Sequence, residues 1–302
     1  MIGVSPAFYI SAYGKSFTAG QIIESIDRVA DLGFGAMQLE LFRPEAIDEW
    51  TPRVLKTVRE RLDERGIMPT QFVAHFALGD FTSSSRLATP EYREGFARLV
   101  DLASRFAECG VITLPMPPFA VTSSDTASDI ALAWSRMRDL IREYSEMAAA
   151  AGRILALEIM PGALINGTQG LRMLRSGAEA VDVRLNFDTG HAAACKENLA
   201  STVVCLGGAI AGTHLCDNYG YENLKLVPGD GGIDFPMLLR LMRDSGYRGS
   251  WDLEILCAPG FVEREYRRAA ARLGEYLGEF PAAPSEDSGS QETIRETIRK
   301  AG

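Results

Sequence analysis

The feature that most constrains this chain is a junction that recurs seven times: a helix-like stretch, a glycine, then a short apolar strand. It reads RVADLG to Gly33 before AMQLELF, RLDERG to Gly66 before MPTQFVAHF, and FAECG to Gly110 before VITLPM. It continues as AAAAG to Gly152 before ILALEIM, LRSG to Gly177 before VDVRLNFD, CLGG to Gly208 before IAGTHLCD, and RDSG to Gly246 before SWDLEIL. Glycine suits a helix end because that position asks for a positive φ, which costs nothing without a Cβ. Seven such junctions connect eight strands if IGVSPAF at the N-terminus is the first. The strands are continuous apolar runs, as parallel strands covered by helices should be.

Eight strands alternating with helices predict a single-domain α/β chain, a (β/α)8 TIM barrel over residues 1–281. From residue 282 the composition turns polar and Ser/Glu-rich (AAPSEDSGSQETIRETIRKAG), which reads as a tail over 282–302. A doubly wound open sheet would use the same alternation, but no Gly-rich phosphate loop follows the first strand. Helix starts agree with the barrel. Thr18 and Gln21 form a capping-box pattern before Ile22, Ile26 and Val29. Thr89-Pro90 reads as a cap followed by proline at the first helical position, ahead of Phe96, Leu99, Val100, Ala103 and Phe106. Asp234 reads as a cap with Pro236 in the first turn.

Catalytic groups of such a barrel come from the C-terminal ends of its strands. Glu40 ends strand two, and His75 ends strand three. Glu158 ends strand five, and Asp188 ends strand six with His191 three residues on. His214 ends strand seven with Asp217 three residues on, and Glu254 ends strand eight. Burying so many ionisable groups is costly unless they pair or bind a metal. Glu158, Asp188, His214 and Glu254 together are oxygen-rich ligands for one divalent ion, Mn2+ first, with Mg2+, Co2+ or Zn2+ as alternatives. His191 and His75 are candidate substrate-binding residues; any one histidine at a barrel rim can equally be structural. Glu40 reads equally as an ion-pair partner of Arg43 or another basic residue. Cys216, in HLCD, is expected to turn away from the face of His214 and not to ligate.

Composition removes other classes. With 46% hydrophobic and 24% charged residues the chain is neither disordered nor fibrous. A net charge of −9 and no long basic run make nucleic acid a poor partner. Five cysteines without a CxxC pair read as reduced thiols. The start MIGVSPAFYI has no cationic leader pattern, and no apolar run approaches the ~18 residues of a membrane span. A cytoplasmic protein is the expectation.

At these residues the sequence resembles the xylose-isomerase-like barrels: sugar (phosphate) isomerases and epimerases, inosose dehydratases and type-IV AP endonucleases. The resemblance runs from strand one to about residue 280. It is sharpest in FDTGH, in HLCDN followed by VPGDGGIDF, and in WDLEI. It implies that Glu158, Asp188, His214 and Glu254 bind one metal, with His191 beside the substrate. It further implies enediolate chemistry on a small-molecule keto-sugar or inosose, with Glu158 and Glu254 as acid and base. Ketose 3-epimerases carry an arginine shortly after the strand-seven histidine; DNYGYENLKLVPG has only Lys225. That departure leaves dehydration, a lyase reaction, as the alternative to isomerisation. An AP-endonuclease-like hydrolase is disfavoured by only three histidines and the acidic balance. An accessory, non-catalytic barrel is disfavoured by the full acid–base set. Assembly as a homo-oligomer or hetero-complex is left open.

Overall fold

A computed structural model describes residues 1–278. The expected tail, 282–302, and the last residues of the expected barrel domain lie outside the described residues. Eight parallel strands follow the order expected of a barrel: β1 (Ile2–Val4), β2 (Ala36–Glu40), β3 (Met68–Val73), β4 (Val111–Met116), β5 (Ile154–Ile159), β6 (Arg184–Asp188), β7 (Ile210–His214) and β8 (Trp251–Leu253). From β1 to β7 each strand pairs with the next in sequence, and β8 pairs with β1. The ring closes where Leu215 bridges Leu253, through Leu215 N to Asp252 O and Glu254 N to Leu215 O. The open-sheet alternative is thereby excluded.

Outside the strands lie α1 (Ala7–Tyr13), α2 (Ala19–Asp31), α3 (Pro52–Arg65), α4 (Ser84–Ala88), α5 (Arg93–Ser104) and α6 (Ala127–Ala150). They are followed by α7 (Gly167–Leu174), α8 (Thr189–Ala194), α9 (Leu199–Leu206), α10 (Phe235–Asp244) and α11 (Val262–Leu277). Their apolar faces pack on the barrel: Ile22, Ile26 and Val29 of α2 are buried, as are Phe96, Leu99, Val100 and Ala103 of α5. The capping box at Thr18 and Gln21 forms, and Asp234 caps α10 by accepting from Met237 N.

Five of the seven junction glycines, Gly33, Gly66, Gly152, Gly177 and Gly246, adopt a positive φ. Gly110 and Gly208 do not: α5 stops at Ser104, and Gly208 sits in a 3-10 turn, so neither closes a helix. Three local expectations are corrected. The first strand ends at Val4, because Pro6 starts α1 and carries Ala7 and Phe8 into a helix. His75 lies past β3 and opens a 3-10 turn, His75–Phe81. Thr89-Pro90 does not start α5, which begins at Arg93 with no side-chain cap. Buried Asp80 does the work from elsewhere in the chain: its carboxylate accepts from Glu91 N at 2.7 Å, Tyr92 N at 3.0 Å and Tyr144 Oη at 3.2 Å. Tyr144 of α6 stacks on Phe96 of α5 at 4.0 Å, which locks the two helices over that carboxylate.

Candidate metal centre

The ends of β5 to β8 bring Glu158, Asp188, His214 and Glu254 together, each buried, with one ligand atom apiece lying within 4.8 Å of the others. Barrel closure explains this: consecutive strands converge at one mouth, so residues far apart in sequence become neighbours. His214 Nδ1 lies 3.1 Å from Glu158 Oε1 and 3.5 Å from Glu254 Oε2. Asp188 also caps α8, accepting from His191 N at 2.8 Å, which directs the His191 ring back over the cluster. His191 Nε2 is 3.6 Å from Glu158 Oε1 and 3.5 Å from Asp188 Oδ2. Its Nδ1 is 3.1 Å from Asn223 Nδ2; the amide donates, so Nε2 carries the proton that faces the carboxylates.

The residues fit a divalent cation. His214 Nδ1 and Glu254 Oε2 are buried without a hydrogen bond of proper geometry, although opposite charges lie within reach of both. Lone pairs that converge without bonding one another suit an ion between them. Three carboxylates and one imidazole match Mn2+, Mg2+, Co2+ or Zn2+.

The electrostatics separate the carboxylates. Burial is the largest influence on each and raises it. For Glu158 the adjacent His214, together with Lys225, outweighs burial and holds the carboxyl below its usual range. For Asp188, His191 and Lys225 do the same, and more strongly. For Glu254 burial wins and the carboxyl is pushed up to about 8. The Lys225 ammonium, 2.5 Å from Glu254 Oε2 and 3.3 Å from Asp188 Oδ2, pulls in the opposite direction without prevailing.

Other expected residues fall elsewhere. His75 stands outside the cluster: its Nδ1 is 3.2 Å from Glu40 Oε1, and its ring stacks on Phe42 at 4.0 Å. Glu40 therefore pairs with His75, while Arg43 pairs with Glu45 and Glu49. Cys216 does not turn away from the site. Two residues beyond His214 it returns to the same side, and its Sγ donates to Asp188 Oδ1 at 3.6 Å. Asp217 organises a loop: its carboxylate accepts from the backbone of Asn218, Gly229, Gly231 and Ile233. A Cβ on Gly231 would sit 2.3 Å from Asp217 Oδ1, which explains the glycine in PGDGGID. Lys225, seen in sequence only as the cation of its segment, reaches the cluster from a backbone at φ 48°, which no sequence pattern announces.

Fold and site together define a strand-end carboxylate–imidazole barrel. Residues 26–276 match the family described as xylose isomerase-like TIM barrel, and the chain belongs to that family. An uncharacterised protein of Methanocaldococcus jannaschii is 27% identical over 161 residues, so the match spans about half of each chain, 52% of both. Among solved structures, D-psicose 3-epimerase from Clostridium cellulolyticum H10, with D-tagatose, is 17% identical at a TM-score of 0.70, covering 91% of this chain and 98% of that one. The IolI protein with a bound zinc atom is 16% identical at a TM-score of 0.69, with the same coverage. These two likenesses speak for the fold. Among the described residues, no helix is long and apolar enough to cross a membrane.

Proposed function

We propose that this protein is a divalent-metal-dependent isomerase or epimerase of a keto-sugar or inosose, with Glu158 and Glu254 transferring the proton. The observation that carries this reading is the convergence of two glutamates on one cluster: Glu158 Oε1 lies 3.1 Å and Glu254 Oε2 3.5 Å from His214 Nδ1, with Asp188 beside them. Two carboxylates that converge on one place suit removal of a proton by one and its return by the other. Glu158, Asp188, His214 and Glu254 would hold the ion, Mn2+ being the first choice; the zinc bound in the IolI structure supports a divalent ion on this fold. When bound, the ion supplies Lewis-acid polarisation of a carbonyl, which acidifies the adjacent C–H.

Glu158 removes that proton, and Glu254 returns one to the same or the neighbouring carbon. His191 presents its Nε2–H to a substrate oxygen, and Lys225 offers a second positive group beside the carboxylates. His75, paired with Glu40, is assigned to a substrate hydroxyl farther along the mouth. Its ring is about a quarter exposed, and Glu40 Oε2 is buried without a partner. Glu40 shares the inward face of β2 with Gln38, which touches His214, so the pair opens into the same barrel lumen.

Dehydration on the same site is the second reading, favoured by Lys225 standing in a segment without arginine. There the departing hydroxyl would leave as water with the proton that a glutamate has removed from carbon, and His191 would donate a hydrogen bond to it. Incubation of keto-sugars and inososes with the protein and Mn2+ in D2O separates the two readings by mass. Isomerisation puts solvent deuterium on carbon; dehydration loses water. Glu158→Gln and Glu254→Gln should each lower kcat by at least ~100-fold, the usual weight of a general acid or base. A variant that keeps more than about a tenth of wild-type kcat removes that glutamate from the mechanism.

A further inference from the structure

Below the ligand cluster the barrel interior is polar where packed apolar layers would be the norm. Gln38 of β2 and Asp252 of β8 are fully buried, and His214 is 2% exposed. Gln38 Oε1 lies 2.9 Å from His214 Nε2. Its amide nitrogen donates to Asp252 Oδ2 at 2.8 Å and points to Thr213 O at 3.4 Å. Those two oxygens only accept, so the amide cannot be flipped without placing oxygen against oxygen at both contacts. With the amide oriented this way, its oxygen faces His214 and Nε2 must carry the hydrogen.

The carboxylate is itself anchored. Ser250 Oγ donates to Asp252 Oδ2 at 2.7 Å, and Thr70 Oγ1 and Gln71 Nε2 approach it at 3.4 Å. The opposite oxygen, Oδ1, is buried without a hydrogen-bond partner in the space left by Gly3 of β1, where a Cβ would sit 2.1 Å from it.

We propose that Gln38 and Asp252 are positioning residues that hold His214 with Nε2 protonated and Nδ1 presented to the metal centre. Neither can touch a substrate, so both act through the imidazole. The proposal rests on the metal reading above. Ligand histidines are commonly oriented by the partner of their other nitrogen, and loss of such a partner typically weakens the metal by ~10–100-fold. Here the partner is a neutral amide, and a buried carboxylate one bond further sets which way that amide faces.

The test uses Zn2+ titrated calorimetrically into metal-stripped protein, with NMR of 15N-histidine-labelled protein in the zinc form. Only three histidines contribute signals, so the His214 Nε2–H resonance is assignable. Gln38→Met keeps the volume and removes the acceptor. It should raise the Zn2+ Kd by ~10–100-fold and lose or displace the Nε2–H resonance. One bond away, Asp252→Ser should weaken zinc in the same direction, and Asp252→Asn, which retains an oxygen for the amide, should restore it. If Gln38→Met does not fold by circular dichroism, the two Asp252 variants decide.

Wild type that binds no divalent ion overturns the metal reading itself. Wild type that binds zinc while Gln38→Met, or Asp252→Ser where that pair decides, binds it equally well with an unmoved resonance overturns the positioning pair alone. A fall in Tm with unchanged Kd in these variants does the same, because it leaves them a structural role only.

Discussion

At the candidate metal centre, protons and an ion would compete for the same atoms. His214 is raised to about 10: burial alone would lower it, but Glu254 and Glu158 outweigh burial. The imidazole therefore carries a second proton at pH 7, and ligation requires that proton to leave. Metal affinity should climb with pH, by about one proton per ion up to about 10. Calorimetry in buffers of different ionisation enthalpy measures this; a pH-independent Kd between 6 and 9 contradicts the assigned ligands. Without the ion, the His214 proton also stabilises the fold. Its folded value lies above the ordinary 6.5, so that contribution is complete below 6.5 and is lost as pH rises through about 10.

Among the elements, the start of α5 shows how a tertiary contact replaces a local signal. Thr89-Pro90 has the composition of a helix start, yet Thr89 Oγ1 only donates back to Ser85 O at the end of α4. The backbone N–H groups before α5 are satisfied by Asp80. Asp80→Ala leaves the Tyr144 hydroxyl unpaired in a buried place and takes the acceptor from two part-buried backbone donors, which should cost about 3 kcal/mol. Thr89→Ala, at an exposed site, should stay within about 0.5 kcal/mol. Urea denaturation of the two variants decides between the caps, and equal losses would mean that Asp80 does not carry the helix start. The loop after β7 follows the same logic. Asp217 gathers its glycines, and Arg268 and Arg272 of α11 pin it at Asp230.

For the whole molecule, barrel closure is what places four strand ends around one point, so metal and fold are thermodynamically linked. An ion at 100 times its Kd adds ~2.7 kcal/mol to stability. For a domain of this size that is roughly 5 °C in Tm, read by calorimetry of stripped and reloaded protein. No rise with Mn2+, Mg2+, Co2+ or Zn2+ contradicts the assigned centre. The net charge of −9 acts at the same scale. Duplex DNA containing an abasic site should be neither cleaved nor bound more tightly than the ~10⁻⁴–10⁻⁶ M of non-specific cationic binders. Incision at catalytic enzyme levels contradicts that expectation.

What the sequence by itself determined is periodic or local. The glycine-punctuated alternation dictated eight strands and their partners, because a helix end and a parallel strand each impose a pattern on a few adjacent residues. The strand-end rule then pointed to Glu158, Asp188, His214 and Glu254 before any distance was known. What only the tertiary structure decided depends on neighbours distant in sequence. Glu40 meets His75 and not Arg43, and Lys225 reaches the cluster through a left-handed backbone. The reversed placement of Cys216 and the anchoring by Asp80 of the backbone just before α5 belong here too. Gln38 in the run MQLE reads as an interruption of an apolar strand. Its purpose emerges only when closure carries β2, β7 and β8 to one layer, since a buried amide is tolerable only where acceptors and donors from other strands surround it.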